Sequence, residues 1–110
     1  MPYRSAVTKT FYSGTATGSG VTSGVSVSNY KELLALVNIT SIVGTVTVDY
    51  EVSPDDTTYY KHTTAVNAAV AAGSQTASQL GNIGMYGRFR YLVSGGSPSV
   101  AMSVKGILKS

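Results

Sequence analysis

The sequence predicts an all-β protein, an antiparallel β-sandwich or jelly roll of about seven or eight short strands. The first observation is the alternation of apolar and polar residues, clearest from Thr45 to Val52, which is typical of a half-buried antiparallel strand. The second is composition, because 14 Val and 13 Thr favour strands while 12 Gly supply turns. A small barrel is the alternative arrangement for such strands.

A chain of 110 residues has room for one domain, which we place at residues 29–110. Residues 1–28 form an N-terminal segment of different character, since Ser13 to Ser28 contains four Gly and no charge. This segment is either a flexible Gly/Ser arm or an extended strand that becomes ordered against a neighbouring subunit. In both cases we expect its deletion to leave the sandwich folded.

The first strands of the domain follow from alternation and turn residues. Residues 29–42 place Leu33 and the apolar residues that alternate with it on one face, and β-branched residues near the end favour strand over helix. Gly44 separates this strand from Thr45–Val52. A turn at residues 53–56 follows, because Pro54 fixes φ and the aspartates can bond the neighbouring backbone.

The second half of the domain is less regular. Residues 57–64 read as extended, whereas Ala65 to Gly73 is open between a helix and a loop of small residues. A short strand at residues 74–80 precedes a turn at 81–84. Residues 88–93 and a strand around 100–105 form a predicted hairpin that turns at residues 95–98.

The inward-facing positions of these strands define a predicted core. Its members are Leu33, Val37, Ile39, Val46, Val48, Tyr50, Val52, Phe89, Tyr91, Val93, Val100, Met102 and Val104.

The composition excludes several kinds of chemistry. The chain has no Cys, so it can form no disulfide or thiolate metal site, and His62 is its one histidine. Charged residues make up 12% and the net charge is +3, which is weak for nucleic-acid binding. The longest apolar run, Leu33 to Val37, is too short to span a membrane, and no secretory signal is visible. We expect no enzyme activity, no catalytic residue, no metal and no cofactor.

The few titratable groups have simple interpretations. Asp49 and Glu51 share one strand face about 7 Å apart, a spacing that a glycosidase-like carboxylate pair could use. A solvated outer face is the favoured interpretation, and a small hydrolase built on this pair is remote. Calcium binding at Asp55 and Asp56 is slightly more plausible, but the spaced oxygen ligands of a dedicated loop are missing. We interpret His62 as solvated on the polar face of its strand.

Large side chains outside the predicted core indicate a protein interface. Tyr gives a large apolar body with a polar tip and is enriched at interfaces, and the absent Trp makes sugar stacking less favoured. Arg88 and Arg90 lie on one strand face, where a subunit contact or an ion pair with Asp49 or Glu51 is expected. The predicted interface residues are Tyr3, Tyr12, Tyr30, Leu34, Leu36, Tyr59, Tyr60, Arg88 and Arg90.

Two segments resemble small β-sandwich proteins of tailed bacteriophage virions. Residues 46–60 read VTVDYEVSPDDTTYY and residues 87–99 read GRFRYLVSGGSPS, and the preceding residues 32–45 also fit the pattern. The virion proteins often carry a strand followed by Ser-Pro-Asp-Gly-Thr-Thr-Trp-Tyr. This chain departs from that motif at Asp56, where the motif has Gly, and at Tyr59, where it has Trp. The resemblance covers about two-thirds of the chain and leaves out the first 28 residues.

The resemblance implies a non-enzymatic capsid decoration or auxiliary head protein. Its expected partners are the major capsid protein, copies of itself, or both, with a homo-oligomer expected and neither a specific nucleic acid nor a membrane. Its expected location is the capsid surface of the virion, after synthesis in the host cytoplasm. The alternative is a glycan-binding module of a tail or cell-surface protein that uses Tyr59, Tyr60 and Asp55.

Overall fold

The computed structural model describes residues 6–69 and 73–110, which form one antiparallel sheet of seven strands. The all-β antiparallel fold predicted from the sequence is confirmed. The strands are β1 (Ala6–Ala16), β2 (Gly20–Val21), β3 (Val25–Ser26), β4 (Glu32–Ser53), β5 (Tyr60–Ala69), β6 (Gln75–Gly81) and β7 (Tyr86–Lys109).

The two long strands β4 and β7 pair with each other from end to end and form the spine of the molecule. Glu32 lies opposite Lys109 at one end of this pair, and Ser53 lies opposite Tyr86 at the other. Along residues 32–39 of β4 and 102–109 of β7, the flanking strands are β6 and β1. Along residues 45–53 and 86–94, the flanking strands are β5 on one side and β2 with β3 on the other. We call these two halves the β6 layer and the β5 layer.

The single sheet folds over so that its two layers share one core. Phe11 in the β6 layer packs edge-on against Phe89 in the β5 layer, with ring centroids 4.8 Å apart. The Tyr12 and Tyr91 rings make a second contact between the layers, in a tilted arrangement with centroids 5.0 Å apart. The result is a sandwich whose layers are joined covalently through both spine strands.

Glycines allow β4 and β7 to bend at the point where they leave one layer and enter the other. Register shifts interrupt the β4–β7 pairing between Ile39 and Ser41 and between Val43 and Thr45. Gly44 has a φ of 93°, and a β-carbon on Gly95 would lie 3.2 Å from the Cα atom of Gly44. Two strands can bend together here because neither places a side chain between them.

The prediction of separate short strands was therefore wrong in two places. Residues 29–42 and 45–52 were predicted as two strands, but 32–53 is one bent strand. The predicted hairpin at residues 95–98 does not exist, because β7 continues through it and both of its halves pair with β4. A glycine that permits a turn also permits a sharp bend within a strand, so the turn signal alone did not distinguish the two.

Ten of the thirteen predicted core residues are buried, and Val52, Tyr91 and Val93 are partly buried against them. The alternation in β4 and β7 thus identified the inner face correctly. The additional buried apolar residues include two more from β4 and β7, and the rest come from the other strands and from loops. They are Ala16, Val27, Ala35, Val66, Leu80, Ile83 and Leu108.

The N-terminal segment is ordered within its own chain. β1 pairs with residues 100–109 of β7, and β2 and β3 pair with its first half. The backbone N–H of Thr22 donates to the carbonyl oxygen of Phe89, and the Thr22 hydroxyl accepts the Phe89 N–H at 2.9 Å. Of the two alternatives for this segment, the extended strand describes the structure. The segment pairs with β7 of its own chain, whereas pairing with a neighbouring subunit was expected from the sequence.

The described part of the segment left open between helix and loop begins as a strand. β5 runs to Ala69, so residues 65–69 continue it, and residues 70–72 lie outside the described part. Two register shifts interrupt its pairing with β4, and Ala65 has a φ of 55°. The alanine-rich composition favoured helix locally, but pairing with the spine overrides such weak preferences.

Substitution of Gly44 tests the bend. In Gly44→Ala, a β-carbon would overlap the carbonyl oxygen of Ser94 at a backbone angle that L-residues avoid. We expect a loss of about 2 to 3 kcal/mol in the free energy of unfolding, measured by urea denaturation. Gly96→Ala is the matched control, because a β-carbon there meets no atom within 4 Å. Equal stability of the two variants would contradict the proposed role of Gly44.

Candidate interaction site

The structure separates the predicted interface residues into several groups. Leu34 and Leu36 are half-buried on the outer face of the β6 layer, whereas Tyr59, Arg88 and Arg90 lie at the β5 layer. Tyr12 and Tyr30 pack against the core. Tyr60 is 59% exposed. Tyr3 lies outside the described residues.

Arg88 is held in place by a buried acid and an aromatic ring. Its Nε donates to Oε1 of Glu51 at 2.8 Å, and its guanidinium carbon lies 3.9 Å from the centroid of the Tyr59 ring. Glu51 is only 6% exposed. The predicted ion pair between this arginine and a neighbouring strand is therefore present, and the guanidinium orientation is fixed by charge and stacking together.

Asp49 stabilises the irregular part of β5. One carboxylate oxygen accepts the N–H of Ala65 at 2.7 Å, and the other lies 3.7 Å from Nζ of Lys61. Asp49 is 1% exposed, so the solvated outer face predicted for Asp49 and Glu51 was wrong. Their side chains are covered by the irregular β5 strand and by the two cations that they bind, Lys61 and Arg88. Both carboxylates are engaged in structural contacts.

The turn after β4 is organised by Asp55. Its Oδ1 accepts the N–H groups of Thr57 and Thr58, both at 3.0 Å, and the hydroxyl of Ser53 at 2.9 Å. These bonds lower the pKa of Asp55, with the backbone bonds from Thr58 and Thr57 as the largest causes. Among the described residues, no group of three or more His, Asp or Glu side chains converges as a metal site would require.

Tyr59 is committed to its own surroundings. Its hydroxyl donates to Oδ1 of Asp56, and Arg88 covers its ring. Partial burial, followed by the bond to Asp56, raises the pKa of Tyr59 to about 12. A β-carbon on Gly24 would overlap both the Tyr59 hydroxyl and the Asp56 carboxylate, so the loop before β3 closes over this contact.

These contacts weaken the glycan-binding alternative. A sugar site needs a free aromatic face and polar groups directed at the ligand. Arg88 lies over the Tyr59 ring and Asp55 is engaged in its turn, so among the three proposed residues Tyr60 supplies the exposed aromatic ring.

His62 is not simply solvated, as the sequence had suggested. Its Nε2 lies 2.9 Å from the carbonyl oxygen of Gly81, which accepts the ring N–H, and its Nδ1 lies 2.6 Å from the hydroxyl of Thr63. Its ring also packs edge-on against Tyr50. His62 therefore connects β5 to the end of β6.

The outer faces of the sandwich include an open surface on each layer. The first is a groove of about 300 Å³ on the β5 layer, which we call the arginine groove. Val21 is 44% exposed and pairs directly with Arg90, so apolar and cationic groups meet there. The groove is lined by Ser19, Gly20, Val21, Glu51, Arg88 and Arg90.

The second surface is the outer face of the β6 layer. Leu34 pairs across the strands with Ile107, and Leu36 pairs with Lys105. A hollow of about 440 Å³ lies beside Leu36 and Lys105. Ile107 was not among the predicted interface residues, although the alternation Ala101, Ser103, Lys105 would have included it if continued by one step.

Charge is distributed unevenly between the layers. Lys9, Lys31, Lys105 and Lys109 lie in or immediately before the strands of the β6 layer, together with one acid, Glu32. In the β5 layer and its turn, the three cations Lys61, Arg88 and Arg90 accompany four acids. The β6 layer therefore holds the positive charge of the described chain.

Fold and surfaces together define an all-β protein in which one bent sheet supplies both layers and presents open faces. A solved structure, described as the crystal structure of SPBc2 prophage-derived protein YomS, is similar to this chain. The two superpose with a TM-score of 0.60 over 100% of this chain and 97% of that one, at 16% sequence identity. At that identity the likeness establishes the fold.

No protein-family model and no curated protein sequence matches the chain. The described residues include no helix long and apolar enough to cross a membrane.

Proposed function

We propose that this chain is a non-enzymatic structural protein of a phage virion, acting as a capsid decoration or stabilisation protein through protein contacts. The observation that carries the proposal is the outer face of the β6 layer. Leu34, Leu36 and Ile107 give it half-buried apolar side chains, and Lys105 and Lys109 lie on the same strand face. Apolar side chains within a polar surround are what a protein interface requires.

The phage context has two independent supports. The sequence resembles small virion sandwiches in residues 46–60 and 87–99, and the fold matches a prophage-derived protein along nearly its full length. The partner on the capsid is a surface with acidic groups, because the β6 layer holds the excess of lysines. Modest affinity per site is sufficient for such a role, since many copies on one lattice act together.

Removal of the gene from the phage or prophage genome that carries it tests the proposal. We expect the protein to be found by mass spectrometry in purified DNA-filled heads of the parent phage. We also expect heads that lack it to release DNA at a lower temperature, and added purified protein to restore the difference. Absence of the protein from purified particles, or its presence in tails alone, would contradict the capsid role.

The docking face is tested with the same heads. Leu36→Glu combined with Lys105→Glu should reduce occupancy at least tenfold, because it replaces an apolar and a cationic contact with acidic groups. Thr58→Glu is the matched control, since Thr58 is exposed in the turn of the other layer. Equal loss from the control would show that the outer face of the β6 layer is not the docking face.

A further inference from the structure

We propose that copies of this chain join head to tail through the edges of the β6 layer, with β1 of one copy pairing antiparallel with β6 of the next. This inference rests on the proposed function and deepens it by naming the self-contact. It is supported by two open strand edges of the β6 layer, by their directions and by their charges.

β1 is an open edge of considerable length. It has 11 residues and pairs with β7, and no other strand of the described chain pairs with it. Residues 6–10 are exposed on both faces of the strand. Its second row of backbone N–H and C=O groups is therefore available to another strand, and an edge of this kind is normally either covered or protected.

β6 is the opposite edge of the same layer. It pairs with β4 without a register shift, and its described links to β5 are made by side chains at its two ends. Asn67 donates to the hydroxyls of Ser74 and Thr76, and His62 bonds the carbonyl of Gly81. The backbone edge at residues 77–80 has no strand partner in the described part of the chain.

The directions of the two edges fit a head-to-tail contact. The order across the layer is β6, β4, β7, β1, and every neighbouring pair is antiparallel. With four alternating strands, the two edges run in opposite directions. A second copy placed beside the first in the same orientation therefore brings β6 against β1 in the antiparallel sense, and the sheet continues without interruption.

Charge favours this contact over a symmetric one. Lys9 is the one charged residue of β1, and β6 contains none. A β1–β1 contact centred on residues 6–10 would bring two copies of Lys9 close together on one side of the joined sheet, which is unfavourable. A β1–β6 contact places Lys9 beside Gln, Thr, Ala and Ser, and one interface covers both open edges. Repetition of this heterologous contact gives a ring or a filament.

Proline variants test the contact. In adjacent strand residues one N–H points to the paired strand and the other points outward, so Thr8→Pro and Lys9→Pro differ in which N–H they remove. The variant that loses an outward N–H keeps the thermal midpoint of the parent protein and blocks the edge. The other variant loses an N–H that bonds the paired strand, and it serves as the folding control. Ala77→Pro and Ser78→Pro provide the same choice on β6.

Analytical ultracentrifugation then gives the result. We expect the unmodified protein to associate beyond a dimer, and each edge-blocked variant to be monomeric with a dissociation constant raised at least 100-fold. A mixture of the β1-blocked and β6-blocked variants should form a one-to-one dimer, because it retains one free edge of each kind. A monomeric parent protein, association of the β6-blocked variant with itself, or a mixture that stays monomeric would overturn the inference.

Hydrogen exchange on the unmodified protein covers the case in which every proline variant unfolds. Outward N–H groups of residues 6–10 and 77–80 should exchange at least tenfold more slowly at high protein concentration than at low concentration. Concentration-independent exchange would overturn the contact. These measurements use purified protein and are therefore independent of the virion experiments. Association of the purified protein without incorporation into virions would support this inference and contradict the proposed function. Incorporation without association would do the reverse.

Discussion

Deletion of residues 1–28 is expected to unfold the protein. The deletion removes β1, β2 and β3, which pair with β7 along the edge that β4 does not occupy. It also removes buried Ala16 and Val27 and the Phe11 ring that packs on Phe89. Full burial of one large apolar side chain is worth about 1.5 to 3 kcal/mol, so the combined loss approaches the total stability of about 5 to 15 kcal/mol that is usual for a domain.

Circular dichroism and urea denaturation measure this effect. Residues 29–110 alone should show no cooperative unfolding transition. The matched control is a chain that begins at Ala6, because it retains every residue of β1 to β3, and it should unfold like the full chain. If residues 29–110 unfold cooperatively on heating, with a thermal midpoint within a few degrees of that of the full chain, residues 1–28 are a separable arm as expected from the sequence.

This expectation reverses the one drawn from the sequence, and the reason is physical. The segment from Ser13 to Ser28 is rich in Gly and Ser and has few large side chains, so its own sequence indicates little stability. Its order comes from β7, whose N–H and C=O groups it pairs and whose inner face it covers. Pairing with a strand that is distant in the sequence leaves almost no signal in local composition.

The spine strands show where alternation was sufficient and where it was not. The buried apolar positions Val46, Val48 and Tyr50 were predicted correctly, because a period of two assigns each residue to a face whatever the strand length. The length itself was not predictable, because Gly44 and Gly95 have the same local signature whether the chain reverses or bends. The distinction is made by the partner strand, since both halves of β7 pair with β4.

The candidate sites were also predicted only in part, because their contacts depend on neighbouring strands that the local sequence does not identify. Polar residues on the outer face of a strand ordinarily contact water, so Asp49 and Glu51 were expected there. The structure covers them with Lys61, Arg88 and the backbone of Ala65. The sequence did contain one usable signal, since an ion pair with Asp49 or Glu51 was one of the two contacts expected for the arginines, and Arg88 does pair with Glu51.

Loss of the Arg88 side chain is expected to destabilise the protein by about 3 kcal/mol or more. In the intact protein 8% of the Glu51 side chain is exposed, and in Arg88→Ala its carboxylate loses its ion-pair partner and part of its cover. An unpaired buried charge costs more than the intact pair contributes, because the carboxylate has left water without compensation. The thermal midpoint should fall on the order of 10 °C for a domain of this size.

Arg90→Ala is the matched control, since Arg90 lies two residues away on the same face but is exposed. It should change the free energy of unfolding by less than about 0.5 kcal/mol. The double variant Glu51→Leu with Arg88→Leu removes both charges together, and it should recover most of the stability lost in Arg88→Ala. If the double variant is less stable than Arg88→Ala, the cost lies in lost packing around Tyr59 and not in the unpaired carboxylate.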